Sequence, residues 1–287
     1  MAGGMRLRSL LFVPGDRPER FAKAAASGAD ALILDLEDSV APGRKSQARQ
    51  AVAAALSGPR DVPLLVRVNP LGGDEIGADL QAIAGGGADG VLLPKCQEAG
   101  DVARLVEALG PGAPPILPIA TETPAAVFAL GGYHAVSAHL LGLTWGVEDL
   151  SSAIGARASR LAGGVLTPPF EALRALALFG AHAAGTPAIE TVYPDIADLD
   201  GLARMASAAR RDGFAGMMAI HPAQVAAINA AFSPSEAELD EARAIVAAFA
   251  GAEGRGAVQL GGRMLDRPHL AAAERLLASA EAERPAG

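Results

Sequence analysis

The chain has 287 residues, of which 51% are hydrophobic and 20% charged, a composition typical of globular proteins without low-complexity tracts. Its net charge of −8 disfavours a broad surface for nucleic acid or anionic membranes, because such surfaces need a positive face. Cys96 is the one cysteine, which excludes an intramolecular disulfide and a cysteine metal cluster.

The first apolar run, residues 9–13, is too short for a signal peptide or a membrane span. We therefore expect a cytoplasmic protein. We expect the first helix to begin at Asp16, since Asp16 and Glu19 are spaced as a capping pair and Pro18 suits an early helical position.

Eight short apolar runs recur along the chain, with helical stretches between them. Each run is apolar almost throughout, as strands buried on both faces of a parallel sheet are. Repeated βα units of this kind predict a (β/α)₈ TIM barrel, a fold that commonly occupies about 250 residues. The predicted strands are residues 9–13, 31–36, 63–68, 90–93, 115–120, 139–145, 188–192 and 216–220.

The pattern changes after the eighth predicted strand. The sequence Ser233-Pro234-Ser235-Glu236 predicts a capping box that opens a helix. Two short extended segments around Gly261 and Gly262 then predict a hairpin, and a last helix follows from about residue 268 to 281. We therefore predict a barrel domain of residues 1–231 and a helix-hairpin-helix extension of residues 232–287.

Three acidic residues stand at the end of the second predicted strand, where a parallel barrel assembles its active site. Asp35 and Glu37 share one face of the strand, and Asp38 begins the loop. Such acids are costly to desolvate unless they are paired or coordinated. They are candidate site residues, and a helix cap or a buried ion pair with Arg67 or Lys95 is the alternative.

Two cations stand at the ends of the next strands. Arg67 ends an aliphatic strand, where its guanidinium can bind a carboxylate or stabilise an enolate oxygen, or form a structural ion pair. Lys95 ends the fourth strand and is a candidate Schiff-base nucleophile. The nearby carboxylates favour a charged partner role for Lys95 instead.

Glu122 follows the fifth predicted strand and Asp149 the sixth, so these carboxylates can meet across neighbouring strand ends. Two carboxylates with open positions suit Mg²⁺, which keeps water molecules and takes substrate oxygens. Thr121 and Ser151 leave a helix-capping role open for either acid. The chain has no H-E-x-x-H, G-x-G-x-x-G, P-loop or G-x-S-x-G motif, which disfavours zinc, nucleotide and serine-hydrolase chemistry.

Eight motifs stand in order along nearly the whole chain: RSLLFVPG from Arg8, LDLEDSV from Leu34, RVN from Arg67, LPK from Leu93, Glu122-Thr123, Gly146-x-x-Asp149-Leu150, AIHPxQ from Ala219 and GRMLD from Gly262. Together they resemble the motifs of the citrate lyase β-subunit-like branch of the HpcH/HpaI aldolase family. The chain departs from the family in the segment Gly216-Met217-Met218-Ala219-Ile220, where members often carry a lysine and a large aromatic residue before Ala-Ile-His-Pro. This departure bears on the acyl pocket or on subunit contacts.

The resemblance implies roles for the residues at the strand ends. Glu122 and Asp149 would bind Mg²⁺ with water molecules, and Arg67 would steady substrate oxygens. Glu37 and Asp38 would organise a water or proton path. The predicted substrate-binding residues are Arg67, Glu122, Lys95, Gly146 and Val147.

The resemblance also implies coenzyme A thioester substrates and a homotrimer or hexamer. Arg17, Arg20 and Lys23 are candidate ligands for coenzyme A phosphates, with solvated helix charge as the alternative. Asp266 occupies the motif whose aspartate reaches a neighbouring subunit's active site in relatives, so we expect the extension to pack on that subunit. Its alternative role is the N-cap of the last helix.

We expect a Mg²⁺-dependent carbon–carbon lyase that cleaves or forms a 3-hydroxyacyl-CoA of the malyl, citramalyl or citryl type. An acyl-CoA and a 2-oxo acid would be the products of cleavage and the substrates of the reverse reaction. Asp266 would be the acid that protonates the enolate. The alternatives are an aldolase that does not use coenzyme A, a malyl-CoA thioesterase, a citrate lyase β subunit acting on an acyl-carrier protein, and a non-catalytic scaffold.

Overall fold

Eight parallel strands form one sheet, confirming the predicted (β/α)₈ barrel. The computed structural model describes residues 5–252 and 256–282. The chain divides into two compact units, with the boundary between Phe232 and Ser233. The barrel strands are β1 Ser9–Pro14, β2 Ala31–Asp35, β3 Leu64–Arg67, β4 Gly90–Leu93, β5 Ile116–Pro118, β6 Leu143–Thr144, β7 Ala188–Glu190 and β8 Gly216–Ala219.

The strands are ordered β5-β4-β3-β2-β1-β8-β7-β6. Seven neighbouring pairs are joined by parallel ladders, such as Leu10 opposite Ala31 between β1 and β2. Within the described residues, β5 and β6 are joined by isolated bridges, Ile116 to Leu140 and Ile119 to Thr144. The sheet is therefore nearly closed, and its least regular joint lies between β5 and β6.

Helices of the first unit follow the strands as the βα pattern predicts. Alternate strand residues such as Leu10 and Ile33 pack inside the barrel, while Leu32 and Leu34 pack outward in a second cluster. Both faces of each strand are thus buried, which explains the continuous apolar runs. The helices are α1 Phe21–Ala25, α2 Lys45–Ser57, α3 Ile76–Ile83, α4 Ala99–Leu109, α5 Pro124–Ala129, α6 Glu148–Ala153, α7 Pro168–Ala183, α8 Leu199–Asp212 and α9 Pro222–Phe232.

Two local predictions in the barrel are wrong. Asp16 does not cap the first helix: a 3₁₀ turn, Pro18–Arg20, begins after Arg17, and Asp16 instead pairs with Arg44, whose Nε lies 2.9 Å from Asp16 Oδ2. The predicted sixth strand was too long, because Leu130–His139 is a 3₁₀ helix and β6 contains two residues.

The second unit contains a helix, a hairpin and a helix: α10 Glu236–Ala250, β9 Ala257–Leu260, β10 Arg263–Asp266 and α11 Arg267–Ala282. The capping box opens α10 two residues later than predicted, because Ser235 and Glu238 exchange the capping hydrogen bonds. Gly261 and Gly262 form the hairpin turn with φ of 58° and 78°, a region that favours glycine. Within residues 5–252 and 256–282, no helix is long and apolar enough to cross a membrane.

Candidate active site

A cavity of about 290 Å³ opens where the barrel strands end. One part of its lining is charged, and behind it lie Glu37 and Lys95, which contact the lining residues. We call the whole set the charged cluster: Asp35, Glu37, Arg67, Lys95, Glu122 and Asp149. The other part is an apolar wall, which consists of Phe12, Ile119, Trp145, Val192 and Met218.

Arg67, at the end of β3, is the centre of the charged cluster. Its Nε and Nη2 each donate to Asp35 at 2.7 Å, and its Nη1 lies 3.0 Å from Glu37 Oε2. Burial opposes ionisation of Asp35, but the hydrogen bonds and charge of Arg67 outweigh it and lower the pKa of this carboxyl. The structure therefore contains the ion pair that the sequence left as an alternative, and it fixes the guanidinium at the cavity.

Lys95 is held as a cation among carboxylates. Its Nζ lies 3.0 Å from Glu37 Oε1 and 3.7 Å from Asp149 Oδ1. Burial lowers the pKa of Lys95, but the hydrogen bond and charge of Glu37, with Asp149, raise it above its ordinary value. A Schiff-base nucleophile needs the opposite shift, so the geometry favours the charged partner role.

The backbone of Lys95 has a φ of 51°, in the left-handed region that non-glycine residues seldom adopt. In this conformation its amide N–H donates to Glu122 Oε2. Strained backbone of this kind is concentrated at functional sites. It supports the inclusion of Lys95 and Glu122 in one site.

Glu122 is buried, with 6% of its surface exposed. Burial, with the negative charges of Glu37 and Asp149, raises the pKa of Glu122 to about 8. Gly146 makes room for this side chain, because an added Cβ would lie 2.8 Å from Glu122 Cγ. The capping alternative for Glu122 is wrong, since Thr123 caps α5 by accepting from the amide of Ala126.

Glu122 and Asp149 are suited to holding a divalent cation. When both are ionised the two carboxylates repel each other, which is one cause of the raised pKa of Glu122, and a cation between them would offset that repulsion. Within the described residues, no group of three or more His, Cys, Asp or Glu is arranged to hold a metal ion. A set of two carboxylates leaves positions for water and substrate oxygens, as Mg²⁺ sites usually do, and it does not resemble a closed zinc site.

Not every predicted site residue lies at the cavity. Asp38, Gly146 and Val147 line it, whereas the set Arg17, Arg20 and Lys23 is exposed on the segment after β1 and lies outside the lining. Asp266 ends β10 in the second unit, with Oδ1 2.5 Å from His269 Nδ1. The sequence thus located the charged cluster. The roles predicted for four residues outside the lining stay predictions: Arg17, Arg20, Lys23 and Asp266.

Sequence reasoning missed Lys45 and the apolar wall. Lys45 Nζ donates to the carbonyls of Leu36 and Glu37 at 2.6 and 2.7 Å and to Asn69 Oδ1 at 2.9 Å, which holds the segment that carries Glu37. No sequence signal links Lys45 to these groups. The alternation of side chains along each strand would have placed Phe12 and Met218 inside the barrel.

Comparison with known proteins assigns the family. Residues 8–222 match the model of the HpcH/HpaI aldolase/citrate lyase family. A citrate lyase subunit beta-like protein from Mycobacterium tuberculosis is 38% identical over 93% of each chain. A (3S)-malyl-CoA thioesterase from Cereibacter sphaeroides is 37% identical over 96% of this chain and 95% of its own.

The fold of a solved relative agrees with this assignment. The crystal structure of the protein CitE from Mycobacterium tuberculosis, in complex with magnesium, acetoacetate and coenzyme A, superposes with a TM-score of 0.84. It is 36% identical, and the match covers 96% of this chain and 98% of CitE. This chain therefore belongs to the HpcH/HpaI aldolase/citrate lyase family.

Proposed function

We propose that this chain is a Mg²⁺-dependent carbon–carbon lyase that interconverts a 3-hydroxyacyl-CoA with an acyl-CoA and a 2-oxo acid. The observation that carries the proposal is the placement of Glu122 and Asp149 beside Arg67 at one cavity. The magnesium and coenzyme A in the solved relative are the groups that the sequence predicted for this chain. Malyl-CoA, citramalyl-CoA and citryl-CoA are the candidate substrates.

Glu122 and Asp149 would hold Mg²⁺, with water and substrate oxygens in the remaining positions. When bound, Mg²⁺ supplies Lewis-acid polarisation of the carbonyl of the 2-oxo acid. Gly146 and Val147 line the cavity next to these carboxylates and would position that acid. Lys95 keeps its positive charge and fixes Glu37 and Asp149 relative to each other.

In the cleavage direction, the 3-hydroxyl group loses its proton and the bond between carbons 2 and 3 breaks. The electron pair of that bond moves into the thioester and forms an enolate, whose oxygen Arg67 stabilises. Glu37 and Asp38 provide the path for the hydroxyl proton, and Asp266 protonates carbon 2 of the acyl-CoA. Asp35 holds Arg67 in place by two hydrogen bonds of 2.7 Å.

Mass spectrometry of the products tests this activity. The purified chain is incubated with Mg²⁺, acetyl-CoA or propionyl-CoA, and glyoxylate or pyruvate, with a chelator control. A chelator-sensitive hydroxyacyl-CoA supports the lyase and identifies its substrates. No product from any combination contradicts it and favours either an aldolase on free acids or chemistry on a carrier protein.

Thioester hydrolysis is the second candidate, because the relative from Cereibacter sphaeroides is a (3S)-malyl-CoA thioesterase. In that reaction a water molecule attacks the thioester carbonyl, releasing coenzyme A and the free hydroxy acid. Malyl-CoA labelled in its acyl part distinguishes the two. Malate and free coenzyme A indicate hydrolysis, whereas glyoxylate and acetyl-CoA indicate cleavage.

The role of the extension is also a proposal. Asp266 would act in the active site of a neighbouring subunit of a homotrimer or hexamer, where residues 232–287 would pack. Mixing subunits that carry Asp266→Asn with subunits that carry Glu122→Ala tests this role, because activity returns only when the two residues come from different subunits. If the mixed oligomers form and remain inactive, Asp266 does not act in a neighbouring subunit.

Arg17, Arg20 and Lys23 would bind coenzyme A phosphates, as their exposure allows. Replacing the three by glutamine should then raise the KM for an acyl-CoA and leave Mg²⁺ binding unchanged. An unchanged KM would leave these residues as surface charge.

A further inference from the structure

Glu190, the last residue of β7, is a fully buried carboxylate with 0% of its surface exposed. Its Oε1 accepts from the indole Nε1–H of Trp145 at 2.6 Å and from the amide of Thr191 at 2.8 Å. Its Oε2 lies 2.5 Å from Nε of Arg174. A buried charge is tolerated when it is paired in this way.

Both donors to Oε1 form part of the cavity lining. Trp145 belongs to the apolar wall, but its ring is fully buried and packs in the outward cluster that contains Leu32 and Leu34. The indole N–H is the single polar group of this side chain. The hydrogen bond to Glu190 therefore fixes the rotation of a ring that supports the wall from outside the barrel. Glu190 itself lies outside the lining and has no role in the proposed proton transfers.

Arg174 anchors Glu190 from outside the sheet. This residue lies on α7, its Nη1 donates to Asp212 Oδ2 at 2.8 Å, and its guanidinium stacks 4.7 Å from the ring centre of Phe214. The Glu190 carboxylate is therefore held by Arg174 of α7, which is itself held by Asp212 at the end of α8. The carboxylate in turn holds the indole of Trp145.

We propose that Glu190 is a positioning residue that fixes Trp145 and so determines which acyl groups the apolar wall admits. Because the buried ring packs against the sheet from outside, a ring held in one orientation supports the wall in one position, whereas a ring free to rotate allows several. Discrimination by a hydrophobic pocket depends on such shape, since one methylene changes kcat/KM by about tenfold to two-hundredfold. The selectivity claim rests on the proposed function, but the claim that Glu190 holds Trp145 does not.

Intrinsic fluorescence tests the structural claim, because Trp145 is the one tryptophan of the chain. Glu190→Gln conserves size but removes the charge that pairs with Arg174. The amide nitrogen of the glutamine is a donor, so it cannot accept from the N–H groups that Glu190 accepts from. We expect a red-shifted emission and stronger quenching by acrylamide than in the wild type, below the unfolding temperature of both. Asp212→Asn is the matched control, because it alters the other partner of Arg174 and leaves the contacts of Glu190 intact.

Substrate selectivity tests the functional claim. We expect Glu190→Gln to change the ratio of kcat/KM for acetyl-CoA over propionyl-CoA by about tenfold. In a Trp145→Phe background, which lacks the indole N–H, the same substitution should change the ratio no further. If Glu190→Gln does not fold, Arg174→Lys weakens the same anchor and should shift both readouts in the same direction.

The outcomes are distinct. A variant with a lowered Tm but unchanged quenching and unchanged selectivity overturns the inference, because Glu190 is then only structural. Altered quenching with unchanged selectivity also overturns it. Altered quenching in a chain whose wild type converts no acyl-CoA overturns the proposed function and supports the link between Glu190 and Trp145.

Discussion

The charged cluster and the apolar wall share one cavity but are held in place by different forces. In the charged cluster most side chains are fixed by ion pairs, such as the one between Arg67 and Asp35 with its two 2.7 Å hydrogen bonds, and Glu122 accepts from the backbone amide of Lys95. In the wall, Phe12, Trp145 and Met218 are fixed mainly by packing, with a hydrogen bond from Trp145 to Glu190 and a weak one from Thr144 to the Met218 sulfur. The two regions meet where the Arg67 guanidinium lies 4.9 Å from the centre of the Phe12 ring. The charged cluster should therefore govern whether bonds break, and the wall which substrate is chosen.

The largest expected effect is in the charged cluster. Glu122→Ala should lower kcat by at least about a thousandfold, because it removes a proposed ligand of Mg²⁺, whose stabilisation of the transition state would be worth several kcal/mol. Steady-state kinetics with saturating Mg²⁺ measures the loss. Glu107→Ala, on the exposed face of α4, is the matched control. Undiminished activity of Glu122→Ala would refute its assignment as a metal ligand.

Arg67→Met should lower kcat/KM by about a hundredfold to a thousandfold, the usual loss for an oxyanion donor. It should also cost about 3–5 kcal/mol of unfolding free energy, because Asp35 stays buried without its partner. Combining it with Asp35→Asn removes that uncompensated charge. Denaturant unfolding of the double variant should then show partial recovery of stability, whereas its kcat/KM should stay as low as that of Arg67→Met. Recovery of both would mean that Arg67 is only structural.

A change in the wall should have a smaller effect of a different kind. Met218→Ala should alter the preference between acetyl-CoA and propionyl-CoA by about tenfold, because it enlarges the pocket by more than one methylene. Mg²⁺ affinity, measured by calorimetry, should stay at the wild-type value. A large loss of Mg²⁺ affinity would contradict the division between the cluster and the wall.

The smallest expected effect is the release of a proton from Glu122 when Mg²⁺ binds. The folded, metal-free chain keeps Glu122 protonated near neutral pH, because its pKa is raised to about 8. A raised carboxyl pKa means that the contribution of this group to stability falls as pH rises from its ordinary range through about 8. Metal binding needs the carboxylate, so Mg²⁺ should release about one proton near pH 7.

Calorimetry in two buffers of different ionisation enthalpy measures that release. Glu122→Gln should abolish it, and Glu107→Gln should not. Equal binding enthalpies in both buffers for the wild type would show that Glu122 binds no proton that Mg²⁺ displaces.

The barrel could be predicted because its signal is local. A strand buried on both faces is apolar along its whole length, so residues 31–36 and 90–93 are recognisable without knowledge of the fold. The charged cluster was found because its members stand where those runs end. Asp16 was misjudged because its partner, Arg44, is 28 residues away and competes with the local cap.

The rest of the site depends on contacts between distant segments. Glu190 was within a predicted strand, but neither its bond to Trp145, 45 residues earlier, nor its pairing with Arg174 has a sequence pattern. Met218 shows an intermediate case. The sequence marked it as a departure from the family, and the structure places it in the apolar wall.

The joint between β5 and β6 gives the proposed metal a mechanical consequence. These strands are linked by isolated bridges rather than a ladder, and Glu122 follows one of them while Asp149 follows the other. A metal ion held by Glu122 and Asp149 would therefore link β5 and β6 at the least regular joint of the barrel. Metal binding would then stabilise the hydrogen bonds that the amides of Ala120 and Leu141 donate across this joint. The same ion would then both take part in the reaction at the cavity and stabilise the pairing of β5 with β6.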